Sequence, residues 1–325
     1  MKNTILLLII CMTVKQSFSQ SVNGITNQPD TSFTTHSAYI SALKEFPGIT
    51  IVKQTHSKAV QEKYNIVYCK RDKQELLLDV FSPSKKTKEK RTAIVIIFGG
   101  GWRSGSRSQH YPLAEKLAGL GYVCFTPDYR LSKEAYFPAA IYDVKASIRW
   151  VKENAEKYNV DTAKLAILGF SAGGEIAAFT GNTNGIASFD GDGCNDKPSS
   201  WVHAIIDIDG TLSFVHAESG EGDDSKKISA ATYWLGYPKA EKPELWKAAS
   251  PLTYTGRHTP PTLFINSSLD RMHAGRTDYI NMLNGFGTYT EIKSFENSPH
   301  AFCLFNPWFQ PNVQYIDDFL KKVFN

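Results

Sequence analysis

The sequence predicts an α/β protein with a mostly parallel sheet of eight strands and helices on both faces. Short apolar runs of strand length alternate along the chain with patterns of helical period. The first two runs follow one another with no helical pattern between them. The chain has 325 residues, of which 42% are apolar, so it can bury a large core. In such sheets ligands bind beyond the carboxyl ends of the strands, and functional residues are expected there.

The individual elements follow from these patterns. The predicted strands are 64–69, 75–81, 93–98, 122–126, 164–168, 202–208, 262–267 and 288–295. The clearest helix follows Pro138, because apolar residues recur at helical spacing from Ile141 to Val151 and proline is tolerated in a first turn. Further helices are predicted to begin near Pro112, Ala172, Ala274 and Asn312.

Residues 1–19 are typical of a secretory signal peptide. Lys2 gives a positive start, a short apolar run covers 5–12, and small residues stand at Ser17 and Ser19. The apolar run is too short to span a membrane. We therefore expect cleavage before Gln20, export to the periplasm or the medium, and no membrane anchor.

The rest of the chain is predicted to form a polar leader, residues 20–63, and one catalytic domain, residues 64–325. Within the domain, residues from about 211 to 255 show weaker periodicity and separate two predicted strands. A connection of this length is seldom without a role, so we expect it to cover the strand ends in part. Trp234 and Trp246 of this segment are candidates for the cover or for core packing.

Charge and cysteine content narrow the classes of partner. Without the two lysines of the signal peptide, the 36 basic residues become 34 against 32 acidic ones, so no nucleic acid partner is required. The basic run at 85–91 is expected to be a solvated loop.

Four cysteines, Cys69, Cys124, Cys194 and Cys303, would remain after cleavage and allow three pairings into disulfides. No Cys or His spacing is typical of a zinc site, so we predict no metal and no cofactor.

The stretch GFSAG, residues 169–173, carries the strongest functional signal. It has the pattern G-x-S-x-G between an apolar strand and a helix of small residues. In this pattern a tight strand-to-helix turn holds the serine hydroxyl out at the sheet edge. Ser171 is therefore the predicted nucleophile, and a helix N-cap is the alternative role.

A serine hydroxyl needs a base, and imidazole is the best suited near neutral pH. His300 lies on a loop between the last predicted strand and the last helix, at an end of the sheet. It is the predicted base, and His273 is its rival.

The imidazole in turn needs a carboxylate that fixes its tautomer. Asp270 follows an apolar strand directly and is the predicted acid. Asp207 and Asp209, one strand earlier, are the alternatives and would otherwise shape the floor of the site. The order Ser171, Asp270, His300 is the order expected on an α/β-hydrolase sheet.

Three glycines, Gly99 to Gly101, follow the third predicted strand. Backbone N–H groups placed around a developing oxyanion increase the rate of ester cleavage by about 10²- to 10³-fold each. Gly99 and Gly100, together with Ala172, are the predicted donors. A phosphate site is disfavoured, because the stretch lacks the Gly-Lys-Ser/Thr ending of a P-loop and has Ser104 where a dinucleotide fingerprint needs glycine. Close helix packing is the remaining alternative.

From about Tyr64 onward the chain resembles the α/β-hydrolase esterases related to hormone-sensitive lipase. It is most similar to exported bacterial carbohydrate esterases. The matching stretches are FGGGW (98–102), DYRLSKEAYFPAAIYDV (128–144), GFSAGG (169–174), ASPLTY (249–254), PTLFINSSLD (261–270) and SPHAFCLFNPWF (298–309). The resemblance implies the same triad and donors, with Gly101 as an alternative donor. Two positions depart from the family: Phe98 replaces the usual histidine, and Glu175 also differs.

The resemblance implies an exported serine esterase that removes acetyl groups from a plant polysaccharide of pectin or xylan type, or from its oligosaccharides. A pectin methylesterase or a feruloyl esterase would use the same residues. A peptidase or a catalytically silent carbohydrate-binding relative are the alternatives from other classes. Trp102 and Trp308 are candidate substrate-binding residues, since sugar faces pack on aromatic rings, and core packing is their alternative role.

Overall fold

The computed structural model describes residues 21–71, 74–191 and 194–324. The predicted signal peptide, residues 1–19, lies outside these ranges. Among the residues described, none of the helices combines the length and the apolar character needed to cross a membrane.

The central sheet has eight strands. Two further strands, β1 and β10, form a separate pair. In chain order, the strands of the described residues are β1 (Thr50–Ile51), β2 (Val60–Arg71), β3 (Gln74–Pro83), β4 (Arg91–Ile97), β5 (Val123–Pro127), β6 (Val160–Phe170), β7 (Ala204–Ile208), β8 (Thr262–Asn266), β9 (Thr290–Ser294) and β10 (Phe305–Asn306). The spatial order of the sheet is β2-β3-β5-β4-β6-β7-β8-β9. β3 pairs antiparallel with β2 and β5, and the other neighbours in this order are parallel. The predicted fold class is confirmed.

Helices pack on both faces of this sheet. The helices of the described residues are α1 (Thr35–Ala42), α2 (Tyr111–Gly119), α3 (Ala139–Glu153), α4 (Ala155–Tyr158), α5 (Ala172–Asn182), α6 (Ala230–Leu235), α7 (Pro243–Ala248), α8 (Arg276–Gly285) and α9 (Phe309–Phe324). Helices α2, α3 and α5 begin at or next to the predicted residues. Helix α8 begins two residues after Ala274, and α9 begins three residues before Asn312.

The alternating side chains of β4 show why its sequence is apolar from Ala93 to Ile97. Ala93, Val95 and Ile97 pack in the core that α3 and α5 cover. Ile94 and Ile96 point the other way, into the core that α2 and α9 cover. Because both faces are buried from Ala93 onward, each large aliphatic side chain there contributes about 1.5–3 kcal/mol to stability.

The leader is folded against the domain. Helix α1 begins with a capping box, in which Thr34 and Ser37 each accept a hydrogen bond from the backbone of the other. Strand β1 pairs antiparallel with β10, and β2 begins at Val60, four residues before the predicted start. The sequence does not predict α1, because its apolar residues do not form one stripe.

The segment between β7 and β8 contains α6 and α7. Trp234 and Trp246 of this segment are completely buried, so core packing is the role that the structure shows for both. Ala230, at the start of α6, lies beside Gly101, since a Cβ on that glycine would approach the Ala230 Cβ to 3.0 Å. The segment therefore packs directly against the glycine loop.

One disulfide joins Cys69 of β2 to Cys194, with a Cα–Cα distance of 5.5 Å. Cys124 and Cys303 are buried free thiols. Among the described cysteines only the bond between Cys69 and Cys194 is therefore formed, and the burial of Cys124 follows from its place in β5.

Candidate active site

Ser171 occupies a sharp turn between β6 and α5, with φ 57° and ψ −121°. Such a conformation is strained for a residue with a side chain and persists only where the surroundings hold it. Its N–H donates to Ile208 O at 2.8 Å. A Cβ at Gly169 would overlap the carbonyl oxygen of Gly173, and a Cβ at Gly173 would overlap the carbonyl oxygens of Ile97 and Phe98, which explains why both flanking positions are glycine. The turn holds the Ser171 hydroxyl at the carboxyl edge of the sheet.

His300 meets Ser171 at this edge. It lies on the loop after β9, and its Nε2 is 2.8 Å from Ser171 Oγ. Its side chain is 22% exposed, and the ring packs against Phe170 with centroids 4.9 Å apart. The structure thus brings together the predicted nucleophile and the predicted base.

The carboxylate partner of His300 is Asp209. Its Oδ2 is 3.0 Å from His300 Nδ1, and its side chain is fully buried. Its Oδ1 accepts hydrogen bonds from the backbone N–H of Ser267 at 2.8 Å and from Asn266 Nδ2 at 3.3 Å. Both oxygens are therefore fixed, and the carboxylate can orient the imidazole.

This contact corrects the prediction of Asp270. Asp270 is exposed at the start of a short 3₁₀ turn after β8. The difference lies in the surroundings, because Asp209 is buried and its Oδ1 is held by Ser267 N–H, which leaves Oδ2 facing His300 Nδ1, whereas Asp270 is exposed. His273, the rival base, instead has its Nε2 3.1 Å from Ser267 O.

The glycine loop lies beside Ser171. A Cβ on Gly99 would come within 2.6 Å of Phe170 O and 3.0 Å of Ser171 Cβ. Gly100 and Gly101 have φ of 138° and 61°, a region that favours glycine. The backbone can therefore approach the nucleophile closely.

The donor set differs from the predicted one. The N–H of Gly99 donates to Gln109 Oε1 at 2.8 Å, and Gln109 Nε2 donates back to Gly99 O at 3.2 Å. Within the described ranges, no hydrogen bond engages the N–H of Gly100 or Gly101. Ala172 is the first residue of α5, where the helix leaves the N–H without a partner. Among the residues described, the N–H of Gly99 is thus engaged by Gln109, and those of Gly100, Gly101 and Ala172 have no such partner.

Phe98 supports the loop by packing. Its ring stacks on Tyr129 with centroids 4.3 Å apart and an interplanar angle of 19°. The Tyr129 hydroxyl donates to Phe98 O at 2.9 Å. The residue that departs from the family pattern is thus part of the scaffold under the glycines.

The two tryptophans predicted to bind substrate have different surroundings. Trp102 is 4% exposed and stacks on Trp234 with ring centroids 5.0 Å apart. It is therefore a core residue, and its ring offers no open face on which a sugar could pack, contrary to the prediction. The packing of α6 on the loop, which the sequence does not show, buries it. Trp308 is half-buried and meets Phe46 edge to face at 5.6 Å in an open groove.

Three further carboxyl groups lie around the site. Burial raises the pKa of Glu175 and of Asp207 well above the ordinary values. Asp207 Oδ1 accepts from Gly210 N at 2.7 Å and so fixes the turn that carries Asp209. Burial also raises the pKa of Glu221, which faces the positive charge of Arg271 at 3.6 Å. Sequence patterns alone do not identify Gln109 or Glu175 as part of the site.

Comparison with known proteins places the chain in a family. The family model described as BD-FAE matches residues 78–274, more than half of the chain. Esterase LipQ of Mycobacterium tuberculosis is 30% identical over 71% of this chain and 55% of its own length. Esterase LipC of the same organism is 29% identical over 60% of this chain and 48% of its own length. The chain thus spans about half the length of these curated relatives.

Solved structures agree with this placement. A truncated carbohydrate esterase from gut microbiota superposes with a TM-score of 0.71 at 24% identity, over 83% of this chain and all of that one. Esterase 2 of Thermogutta terrifontis with bound butyrate superposes with a TM-score of 0.67 at 27% identity, over 82% of this chain and 95% of that one. The chain belongs to the BD-FAE family of α/β-hydrolase esterases.

Proposed function

We propose that this protein is a serine carboxylic ester hydrolase with Ser171 as nucleophile, His300 as base and Asp209 as the carboxylate that orients the base. The observation that carries the proposal is the pair of contacts at His300, 2.8 Å from Nε2 to Ser171 Oγ and 3.0 Å from Nδ1 to Asp209 Oδ2. A hydroxyl, an imidazole and a carboxylate in this arrangement form an activated nucleophile for acyl transfer.

The reaction begins when Ser171 Oγ adds to the ester carbonyl carbon and His300 Nε2 takes the hydroxyl proton. Asp209 stabilises the imidazolium that forms, and its bond to Ser267 N–H keeps it in place. His300 then gives the proton to the leaving alcohol, and the acyl group stays on Oγ. Water, activated by the same imidazole, releases the carboxylic acid and restores the serine.

Negative charge develops on the former carbonyl oxygen during both steps. The N–H groups of Gly100, Gly101 and Ala172 are the proposed donors to it. Because these groups are fixed by the loop and by the start of α5, they need little reorganisation as the charge forms.

The proposed acyl group is short, with acetyl as the favoured case. Ala230 approaches the glycine loop closely, and the stack of Trp102 on Trp234 fills the volume behind it. This packing leaves little room for a long chain on the side of the oxyanion donors. The butyrate in the Thermogutta relative is in line with a small acyl site.

The proposed alcohol portion is a polysaccharide or oligosaccharide of pectin or xylan type, encountered after export. The motif resemblance and the predicted signal peptide support this proposal. The disulfide between Cys69 and Cys194 is compatible with an oxidising compartment.

A groove beside the His300 loop is the proposed place for a sugar ring. It encloses about 500 Å³ and includes Trp308, Phe46, Asn297 and Asn306. Asn297, which lines the groove, precedes His300 by three residues and so connects the groove to the His300 loop. A partly exposed indole with amide groups nearby offers a flat apolar face and hydrogen bonds to hydroxyls.

The groove is tested with W308A and, as a matched exposed tryptophan elsewhere, W201A. Loss of one stacking contact, about 0.5–1.5 kcal/mol, predicts a roughly 2- to 12-fold lower kcat/KM on acetylated xylo-oligosaccharides for W308A. W201A should leave that ratio unchanged. Equal behaviour of the two variants would remove Trp308 from the site.

The function is tested with S171A and a panel of esters. The wild type should hydrolyse p-nitrophenyl acetate and react with a fluorophosphonate probe, and S171A should do neither while keeping the wild-type circular dichroism spectrum. Release of acetate from native xylans and pectins supports the proposed substrate. Release of methanol or ferulate alone would contradict it, and an unlabelled wild type would contradict the serine mechanism.

A further inference from the structure

We propose that Glu175 is a positioning residue that holds the indole of Trp102 and thereby keeps the oxyanion donors in place. The inference rests on the proposed function, since it assigns the glycine loop to the oxyanion. It concerns a buried acidic residue that the steps of the reaction do not use.

Glu175 is one turn into the helix that begins at the nucleophile. Its backbone N–H donates to Ser171 O at 3.0 Å, and its side chain is completely buried. Its Oε2 accepts from Trp102 Nε1 at 3.0 Å. The bond therefore joins the nucleophile helix to the loop that carries the donors.

Trp102 needs such support because of its backbone. It directly follows Gly100 and Gly101 and has φ 57°, which is unfavourable for a bulky residue by about 1–3 kcal/mol. Its ring lies between Trp234 at 5.0 Å and Phe214 at 5.5 Å. Ring packing alone permits the indole to slide in its plane, whereas the bond to Glu175 fixes its Nε1 edge.

The environment of Glu175 favours a neutral acid. Burial raises its pKa well above the ordinary value, and the nearby charge of Asp207 acts in the same direction. Its Oε1 has no hydrogen-bond partner among the residues described. A neutral carboxyl accepts a hydrogen bond through its carbonyl oxygen as an amide does, so glutamine is the conservative replacement.

The test compares E175Q and E175L, with T180V as control. Thr180 is a buried polar residue of the same helix, five positions after Glu175, and its hydroxyl has no partner in the described structure. Loss of an oxyanion donor costs about 10²–10³-fold in kcat, and a displaced donor should cost part of that. We expect E175L to lower kcat for p-nitrophenyl acetate by about 10–100-fold with KM within about threefold, and E175Q to restore kcat to within about threefold.

W102F provides a second route, because it keeps an aromatic ring of smaller size and removes the Nε1–H donor to Glu175. It should lower kcat as E175L does, and the double variant should be no worse than either single one. If E175L does not fold, W102F decides the question. The inference would be overturned if W102F or E175L kept the wild-type kcat. It would also be overturned if E175Q lost as much kcat as E175L, or if folded T180V showed a comparable loss. A failure of the proposed function is separate, because it would appear as activity retained in S171A.

Discussion

Two turns at the carboxyl edge of the sheet each carry an aspartate after a buried strand, yet only one aspartate contacts the histidine. Asp209, after β7, is fully buried and binds His300 and Ser267. Asp270, after β8, is exposed on a short 3₁₀ turn. Asp209 follows β7, which adjoins the nucleophile strand β6, whereas Asp270 follows β8, one strand farther from Ser171.

The two candidate histidines, His300 after β9 and His273 after β8, give the largest expected effect. H300Q removes the base and should lower kcat on p-nitrophenyl acetate by about 10⁶-fold, as loss of a triad base does. H273Q keeps an amide that can donate to Ser267 O and should stay within about threefold of wild type, because His273 contacts backbone rather than Ser171. Steady-state rates of the two purified variants decide it. A larger loss in H273Q would place the base on the turn after β8.

A substitution in the glycine loop beside Ser171 is expected to have the next largest effect on kcat. In G100A the new Cβ would overlap Ser104 O, at a backbone φ of 138°. The loop must shift, and kcat should fall by about 10²–10³-fold, as on loss of one donor. G119A is the control, because a Cβ there has no neighbour within 4 Å in the described structure. Wild-type kcat in folded G100A would contradict the proposed donors.

Two histidines contact the ring of Phe170, and their different surroundings predict different effects of pH. His300 has two polar partners, whereas His110 is buried with neither ring nitrogen bonded in the described structure. Burial lowers the pKa of His110 to about 3, below the ordinary value of 6.5. Between pH 6.5 and 3 the unfolded chain therefore binds a proton that the folded chain does not, so stability rises with pH in this window.

H110F should remove this contribution. The free energy of unfolding of the wild type should fall by up to about 1.4 kcal/mol per pH unit from this group as the pH drops below 6.5. Urea unfolding of the two proteins between pH 7 and pH 4.5 measures the difference in slope. Equal slopes would show that His110 is protonated in the folded protein or has a partner there.

The smallest effect on catalysis is expected at the disulfide. Replacing Cys69 and Cys194 by serine should cost about 2–5 kcal/mol of unfolding free energy, because a long loop is released in the unfolded chain. The kcat should stay within about twofold, since the bond joins β2 to a loop and contacts no residue of the triad. Denaturant unfolding and initial rates measure the two quantities. A large loss of kcat in the folded variant would show that the disulfide between β2 and the Cys194 loop affects the geometry of the candidate site.

Local patterns predicted much of the fold and pointed to Ser171 and His300, which meet at 2.8 Å in the structure. The strands were predictable because both faces of the sheet are covered, which makes each strand an apolar run. Ser171 was predictable because the steric demands of its turn fall on Gly169 and Gly173, its near neighbours in sequence. His300 was predictable because it follows the last strand.

The remainder depends on contacts between distant segments. The contact of Asp209 with His300 joins residues 91 positions apart in the sequence. The orientation of Gly99 follows from a glutamine ten residues later, and the burial of Trp102 follows from α6, more than a hundred residues away. No short pattern records these contacts.

The central claim is that the acid of the triad comes from the strand beside the nucleophile. It is tested most directly by kcat for p-nitrophenyl acetate in D209N and D270N, both confirmed to be folded. The account predicts a loss of about 10⁴-fold in D209N, because the imidazole loses its orienting carboxylate, and a change of less than about threefold in D270N. A large loss in D270N with near-normal activity in D209N would contradict it.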